Sequence, residues 1–120
     1  MEIAIIAHDG KKPEMVQFIN EHKAIFHQKQ ITLVSTGTTG EKVLKAGFEV
    51  TCLLSGPLGG DAQIAARVAE GKCHMVLFFR DPLEKHPHEP DVLMLMRLCD
   101  VHNVPLATNP ATAELLLRGL

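Results

Sequence analysis

The sequence predicts a three-layer α/β/α domain built on a five-stranded parallel sheet, and three observations lead to that fold class. Five short apolar segments recur along the chain. They are continuous rather than alternating, which is typical of parallel strands that are buried on both faces. Helical patterns separate them, as expected for right-handed crossover units in a doubly wound sheet. A length of 120 residues suits one domain over 1–120 and is too short for two.

The predicted elements alternate in order along the chain. The strands are 3–7, 31–35, 50–54, 75–79 and 104–107. The helices are 13–26, 41–46, 61–70, 90–102 and 111–118. The first helix opens at Pro13, a favoured first-turn residue, and carries apolar side chains at three-to-four spacing through Phe26. Gly47 and Gly71 follow the second and third helices, where a glycine suits a left-handed cap.

Composition and charge exclude several classes of function. The chain has 12 Lys and Arg against 14 Asp and Glu, a net charge of −2 with His neutral, so it has no basic surface for nucleic acid. Its longest apolar runs fall far short of the ~18 residues of a membrane helix, and no secretory leader opens the sequence, so we expect a cytoplasmic location. Cys52, Cys73 and Cys99 form no CxxC pair, and we expect three reduced core thiols.

Polar and glycine-rich residues follow every predicted strand, at the edge where a doubly wound sheet binds its ligand. The segments TGTTG at 36–40 and SGPLGGD at 55–61 offer backbone N–H groups, hydroxyls and helix N-termini, which suit a phosphate. The alternative is that these are ordinary turns with capping threonines. Neither segment matches the ATP-binding or dinucleotide-binding fingerprints, so a small phosphorylated metabolite is the better candidate ligand.

Carboxylates and imidazoles with the chemistry for proton transfer fall on the same edge. They are His8, Asp61, His88 and Asp91. In such a set one group removes a proton while another donates to a developing oxyanion. Two alternatives remain open: Asp61 is also placed to cap a helix, and the histidines and aspartates near 8–9 and 81–91 offer ligands for a divalent metal. Lys12 can reach a phosphate as a point charge.

These residues lie in motifs that resemble the methylglyoxal synthase family over essentially the whole chain. The motifs, in order, are AHD after the first strand, TGTTG, SGPLGGD, FFRDPL and PHEPD. The resemblance implies a methylglyoxal synthase-like, Rossmann-like fold and a homohexamer. It also implies a carbon-oxygen lyase with no metal or other cofactor, which converts dihydroxyacetone phosphate to methylglyoxal and inorganic phosphate.

The resemblance also implies a role for each matching residue. Asp61 corresponds to the carboxylate that takes the proton from the hydroxyl-bearing carbon, and Asp91 to a second active-site carboxylate. His88 and His8 correspond to imidazoles that hydrogen-bond the substrate oxygens. The implied substrate and phosphate contacts are Lys12, Thr36, Gly37, Thr38, Thr39, Ser55 and Gly56.

The sequence departs from the family pattern at its end and at two internal positions. It stops at Leu120, where family members usually continue into a tail at subunit contacts, and it has Ala62 and His86 at positions where the family usually has other residues. Two other functions remain as alternatives. One is a noncatalytic ligand-sensing module, a use that the same fold has as a regulatory domain, and the other is a metal-dependent phosphohydrolase.

Overall fold

The computed structural model describes residues 1–85 and 89–120. Its strands are β1 Glu2–Ala7, β2 Thr32–Ser35, β3 Val50–Cys52, β4 Met75–Phe79 and β5 Leu106–Ala107. Its α-helices are α1 Lys12–Glu21, α2 Lys23–Gln28, α3 Gly37–Lys45, α4 Gly60–Ala69, α5 Glu89–Val101 and α6 Pro110–Arg118. The longest of these helices, α5, has 13 residues. Within the described ranges, no helix combines the length and apolar character needed to cross a bilayer.

The five strands form one parallel sheet in the order β3-β2-β1-β4-β5. The chain adds β2 and β3 on one side of β1 and then returns to add β4 and β5 on the other side. The direction of winding therefore reverses between β1 and β4, where Ala7 pairs with Phe79. This arrangement confirms the predicted fold class.

Helices cover both faces of the sheet and enclose two apolar cores. On one face, Met15 of α1, Val43 of α3 and Leu117 of α6 pack with Ile5 and Leu77 of the sheet. On the opposite face, side chains of α4 and α5 pack against the alternate residues of β1 and β4. That second core contains Ala4, Ile6, Val76, Phe78, Ile64, Val68, Val92, Leu95 and Cys99. The alternation follows from the period of two along a strand, and it confirms the three-layer arrangement.

The first predicted helix is two helices, because the chain leaves helical geometry at His22. His22 has φ −106° and ψ 18°, and its ring Nδ1 lies 2.8 Å from the carbonyl oxygen of Phe18. A side chain that bonds the carbonyl four residues earlier competes with the backbone ladder. The apolar stripe nevertheless continues across the break, and Phe26 of α2 packs edge-on against Phe48.

The third strand is an edge strand, and this overturns two predictions. β3 spans three residues, and Thr51 and Cys52 are exposed, so it is not buried on both faces. Cys52 is therefore not a core thiol, whereas Cys73 and Cys99 are buried as predicted. The continuous apolar pattern of 50–54 failed here because an edge strand has only one neighbour to cover it.

Candidate active site

A cavity of about 330 Å³ opens at the carboxyl ends of β1, β2 and β3. Its size is at the small end for a ligand pocket, which suits a small metabolite better than a nucleotide. Eight of the predicted site residues line it. They are His8, Lys12, Thr36, Thr38, Thr39, Ser55, Gly56 and Asp61. Sequence segments that are far apart in the chain thus meet at the edge where the topology places a ligand.

The TGTTG segment forms the first turn of α3 rather than a loop before it. Thr36 has the extended backbone of an N-cap residue, and the helix begins at Gly37. The predicted start near 41 was therefore four residues late. Because the first amides of a helix have no intrahelical acceptor, the N–H groups of Thr38 and Thr39 remain available where they line the cavity. A helix N-terminus of this kind binds anions.

Thr39 gives the strongest sign that this end of the cavity takes a polar ligand. Its side chain is only 1% exposed, and its Oγ1 has no hydrogen-bond partner within the described part of the chain. A buried hydroxyl without a partner is costly, and a ligand oxygen would satisfy it. We infer that the α3 end of the cavity is built for an anion such as phosphate.

Gly37 has a packing role and does not line the cavity. Its N–H donates to the carbonyl oxygen of Leu54 at 3.1 Å, so this amide is already used. A Cβ at this position would lie 3.0 Å from the backbone nitrogen of Ser55. The missing side chain lets the first turn of α3 lie directly against Ser55 and Gly56, which supply the neighbouring wall.

Asp61 is not the N-cap of α4, which argues against the capping alternative. Gly59 holds that position, with the left-handed φ of 110°, and Asp61 is the second residue of the helix. Asp61 is 0% exposed and lines the same cavity as the threonines. Burying a carboxylate beside a ligand cavity is costly, and the position suits a group that acts on the ligand.

His8 is held in one orientation by β4, the neighbour of β1 in the sheet, and by the residues just after β4. The imidazole is 4% exposed and packs edge-on against Phe78. The backbone N–H of Asp81 donates to His8 Nδ1 at 2.8 Å. A ring nitrogen that accepts a hydrogen bond carries no proton, so this contact favours the neutral ring with its proton on Nε2. In that form His8 is a hydrogen-bond donor.

Lys12 opens α1 and brings a positive charge to the cavity. Its Nζ lies 2.7 Å from Asp9 Oδ1, and both residues line the cavity. The Asp9 side chain is 96% exposed, so the ion pair is screened by solvent. The pairing keeps the ammonium near the wall of the cavity, where it can also attract a phosphate.

The remaining predicted site residues are placed differently. Asp91 lies in the first turn of α5, half-buried, and is not among the described residues that line the cavity. His88, and His86 of the metal alternative, fall outside the described residues. Among residues 1–85 and 89–120, no group of three or more His, Cys, Asp or Glu side chains is arranged to hold a metal ion.

Sequence analysis missed the backbone contact from Asp81 to His8. Asp81 was considered only as a possible metal ligand, whereas its amide is the group that touches the imidazole. The signal was the strand order: because β1 pairs with β4 and Ala7 lies opposite Phe79, the residues that follow both strands are neighbours. The two groups are 73 positions apart in the chain, so the contact could not be predicted without knowing the strand order.

Comparisons with known proteins identify the family of the chain. The family model described as "MGS-like domain" matches residues 14–108. Methylglyoxal synthase from Lysinibacillus sphaericus is 58% identical over 100% of this chain and 89% of its own length. The enzyme of that name from Thermoanaerobacter sp. is 56% identical over 100% and 90%. The crystal structure of methylglyoxal synthase from Elizabethkingia anophelis is 41% identical, with a TM-score of 0.88 over 97% of this chain and 76% of that chain. This chain therefore belongs to the methylglyoxal synthase family.

Proposed function

We propose that this chain is a carbon-oxygen lyase that converts dihydroxyacetone phosphate to methylglyoxal and inorganic phosphate. One observation carries the proposal: the fully buried carboxylate of Asp61 shares a small cavity with the N-terminus of α3. A base and an anion site in one cavity are what this reaction needs, because the proton to be removed lies only a few bonds from the phosphate. The names of its relatives support the same reaction.

The phosphate group binds at the α3 end of the cavity in this proposal. The amides of Thr38 and Thr39 and the Thr39 hydroxyl donate to its oxygens, and Ser55 and Gly56 form the neighbouring wall. Lys12 adds a positive charge. These donors are mostly backbone groups, which are already fixed in the folded chain and lose little freedom when the ligand binds.

Asp61 acts as the general base. Its carboxylate removes a proton from the hydroxyl-bearing carbon next to the carbonyl, and the electron pair of that C–H bond forms an enediolate. His8, with its proton on Nε2, donates a hydrogen bond to the oxygen on which negative charge develops. A neutral imidazole suits this step, because its Nε2–H can donate to the developing oxyanion while Nδ1 keeps accepting from the Asp81 N–H.

Phosphate then leaves from the enediolate. The hydroxyl proton of the enediolate passes to the neighbouring oxyanion, and the oxygen that loses it forms the aldehyde C=O. The former C=C pair shifts to form a double bond to the phosphate-bearing carbon, and the C–O bond to phosphate breaks with its pair going to the phosphate oxygen. The product is the enol of methylglyoxal, which takes up a proton at its terminal carbon. For this cleavage the C–O bond must lie out of the enediolate plane, so the α3 donors have to hold the phosphate there. An isomerase would hold it in the plane.

His88 and Asp91 complete the proposed proton-transfer set. The support is the match of the PHEPD segment to the family pattern and the position of Asp91 at the start of α5. We assign His88 to a hydrogen bond with a substrate oxygen and Asp91 to a second active-site carboxylate. Both assignments are tested by Asp91→Asn and His88→Gln, each of which should lower kcat.

Turnover of dihydroxyacetone phosphate in the presence of a chelator is the direct test. We expect inorganic phosphate and methylglyoxal in equal amounts. Asp61→Asn should lower kcat by about three orders of magnitude or more, because no carboxylate remains to take the proton. Asp100→Asn, a matched change at an exposed position of α5, should leave kcat unchanged. Phosphate binding without turnover would instead favour a ligand-sensing module, and loss of activity in chelator would favour a metal-dependent hydrolase.

We also propose a homohexamer of single-domain subunits that works in the cytoplasm without nucleic acid or membrane partners. The resemblance to the family supports the assembly. So does the outer face of α5, where Leu93, Met94 and Val101 are exposed, because exposed apolar side chains on one face are typical of a subunit contact. Light scattering after gel filtration gives the subunit number directly, and a monomeric mass would exclude the hexamer.

A further inference from the structure

We propose that Arg80 is a positioning residue, whose ion pair with Glu89 fixes the start of α5 relative to His8. The inference rests on the proposed function, because it assigns Arg80 the task of holding two parts of that active site in register. Arg80 directly follows β4, and Glu89 is the first residue of α5. Glu89 stands two residues before Asp91 in the first turn of α5, so its position constrains that of Asp91.

The guanidinium of Arg80 contacts α5 at two points. Its NH2 group donates to Glu89 Oε1 at 2.8 Å, and its NH1 group lies 3.6 Å from Met96 Sδ. Glu89 and Met96 are seven residues apart, so they lie on the same face of the helix two turns from each other. One side chain therefore sets both the position and the direction of the first half of α5.

The next residue of the chain makes the contact with His8. The Asp81 N–H donates to His8 Nδ1, and the Asp81 carboxylate accepts from the N–H of Leu83 at 3.1 Å. That second bond fixes the turn that follows β4. The two-residue segment Arg80-Asp81 thus joins the imidazole at the end of β1 to the helix that carries Asp91.

The Arg80 ion pair is poorly arranged for stability alone. The side chains of Arg80 and Glu89 are 30% and 39% exposed, so solvent screens the attraction. The buried Arg80 Nε has no acceptor within the described ranges, which costs free energy. By contrast, Arg67 holds Glu2 through two bonds of 2.9 and 2.6 Å at the opposite end of the sheet. Loss of the Arg80 pair should therefore affect geometry more than folding.

The test compares Arg80→Met, Arg80→Lys and Glu89→Gln with the control Arg67→Met. We expect Arg80→Met and Glu89→Gln each to lower kcat about tenfold, with the KM for dihydroxyacetone phosphate within about twofold of wild type, because the phosphate donors are untouched. The double variant should lose no more than either single one. Arg80→Lys should recover part of kcat. Arg67→Met should lower the melting temperature and leave kcat unchanged.

Amide hydrogen exchange gives a second measurement that does not need turnover. Arg80→Met should speed exchange in the first turns of α5 and leave α4 unchanged. If the wild type turns over no substrate, the proposed function fails while this exchange result still decides the positioning role. Unchanged exchange in α5, or an Arg80→Met variant with wild-type kcat in an active enzyme, would overturn the proposal.

Discussion

The sharpest structural prediction concerns Gly60, which lies next to the proposed base. A Cβ at this position would collide with the carbonyl oxygen of Leu54 and lie 2.8 Å from Cγ2 of Thr36. Because apolar contacts settle near ~3.5 Å, Gly60→Ala must push the start of α4 back by about 0.7 Å or more. Asp61 is the next residue, so it moves with the helix. Misplacement of a catalytic group by ~1 Å can cost about 100-fold, and we expect kcat to fall about 10- to 100-fold.

The same substitution should cost about 1–3 kcal/mol of stability, as overpacking usually does. Gly71→Ala is the matched control. Gly71 has a φ of 76° with nothing within 4 Å of a new Cβ, so the change costs about 1–2 kcal/mol through backbone strain alone. Urea unfolding and steady-state kinetics on both variants separate the two effects. Equal kcat values for the two variants, at similar losses of stability, would refute the argument from geometry.

Three further predictions concern the thiols and the last helix. Iodoacetamide should label Cys52 in the native chain and reach Cys73 and Cys99 only after unfolding. The reason is that burial raises the pKa of both buried thiols. Mass spectrometry of digests identifies which cysteines are labelled. Burial raises the pKa of Cys99 from 9.0 to about 11. The thiol therefore loses its proton at lower pH in the unfolded chain, and the free energy of unfolding should fall as pH rises between those two values. Urea midpoints measured across this pH range check the prediction. Asn109→Ala should cost about 1 kcal/mol in urea unfolding, because Asn109 Oδ1 accepts from the Thr112 N–H at 3.0 Å as the N-cap of α6.

The pattern of apolar segments was sufficient to predict the fold class, because strands buried between helices must be apolar on both faces. It failed where burial is incomplete. β3 lies at the edge of the sheet, so the run at 50–54 predicted a longer and more buried strand than exists. The start of α3 was missed for another reason. Two glycines and three threonines have low helix propensity, and here contacts with the neighbouring loop override it.

Most of the residues that line the cavity were predictable from the sequence, and their exact positions in the helices were less so. Residues that follow successive strands of a doubly wound sheet must lie at one edge, and this general rule brought together most of the candidate set. A role that changes when a helix begins one or two residues earlier could not be predicted from the sequence. Asp61 was considered as an N-cap because Gly59 and Gly60 give no side-chain signal for where α4 begins. Gly37 was expected to contact the ligand, whereas its amide binds Leu54.

Three glycines let the elements near the cavity pack closely against one another. Gly37 brings α3 against Ser55, Gly40 brings it against Cys52, and Gly60 brings α4 against Leu54. Gly37 and Gly60 meet the backbone of the loop after β3, and Gly40 meets the side chain of Cys52 in β3, in each case at a distance that a side chain on the glycine would prevent. The phosphate donors and the proposed base are therefore fixed on different helices that press against the same loop after β3. Because an elimination from an enediolate depends on the angle at which phosphate is held, the proposed reaction depends on the packing of both helices against this loop as well as on the identity of the base.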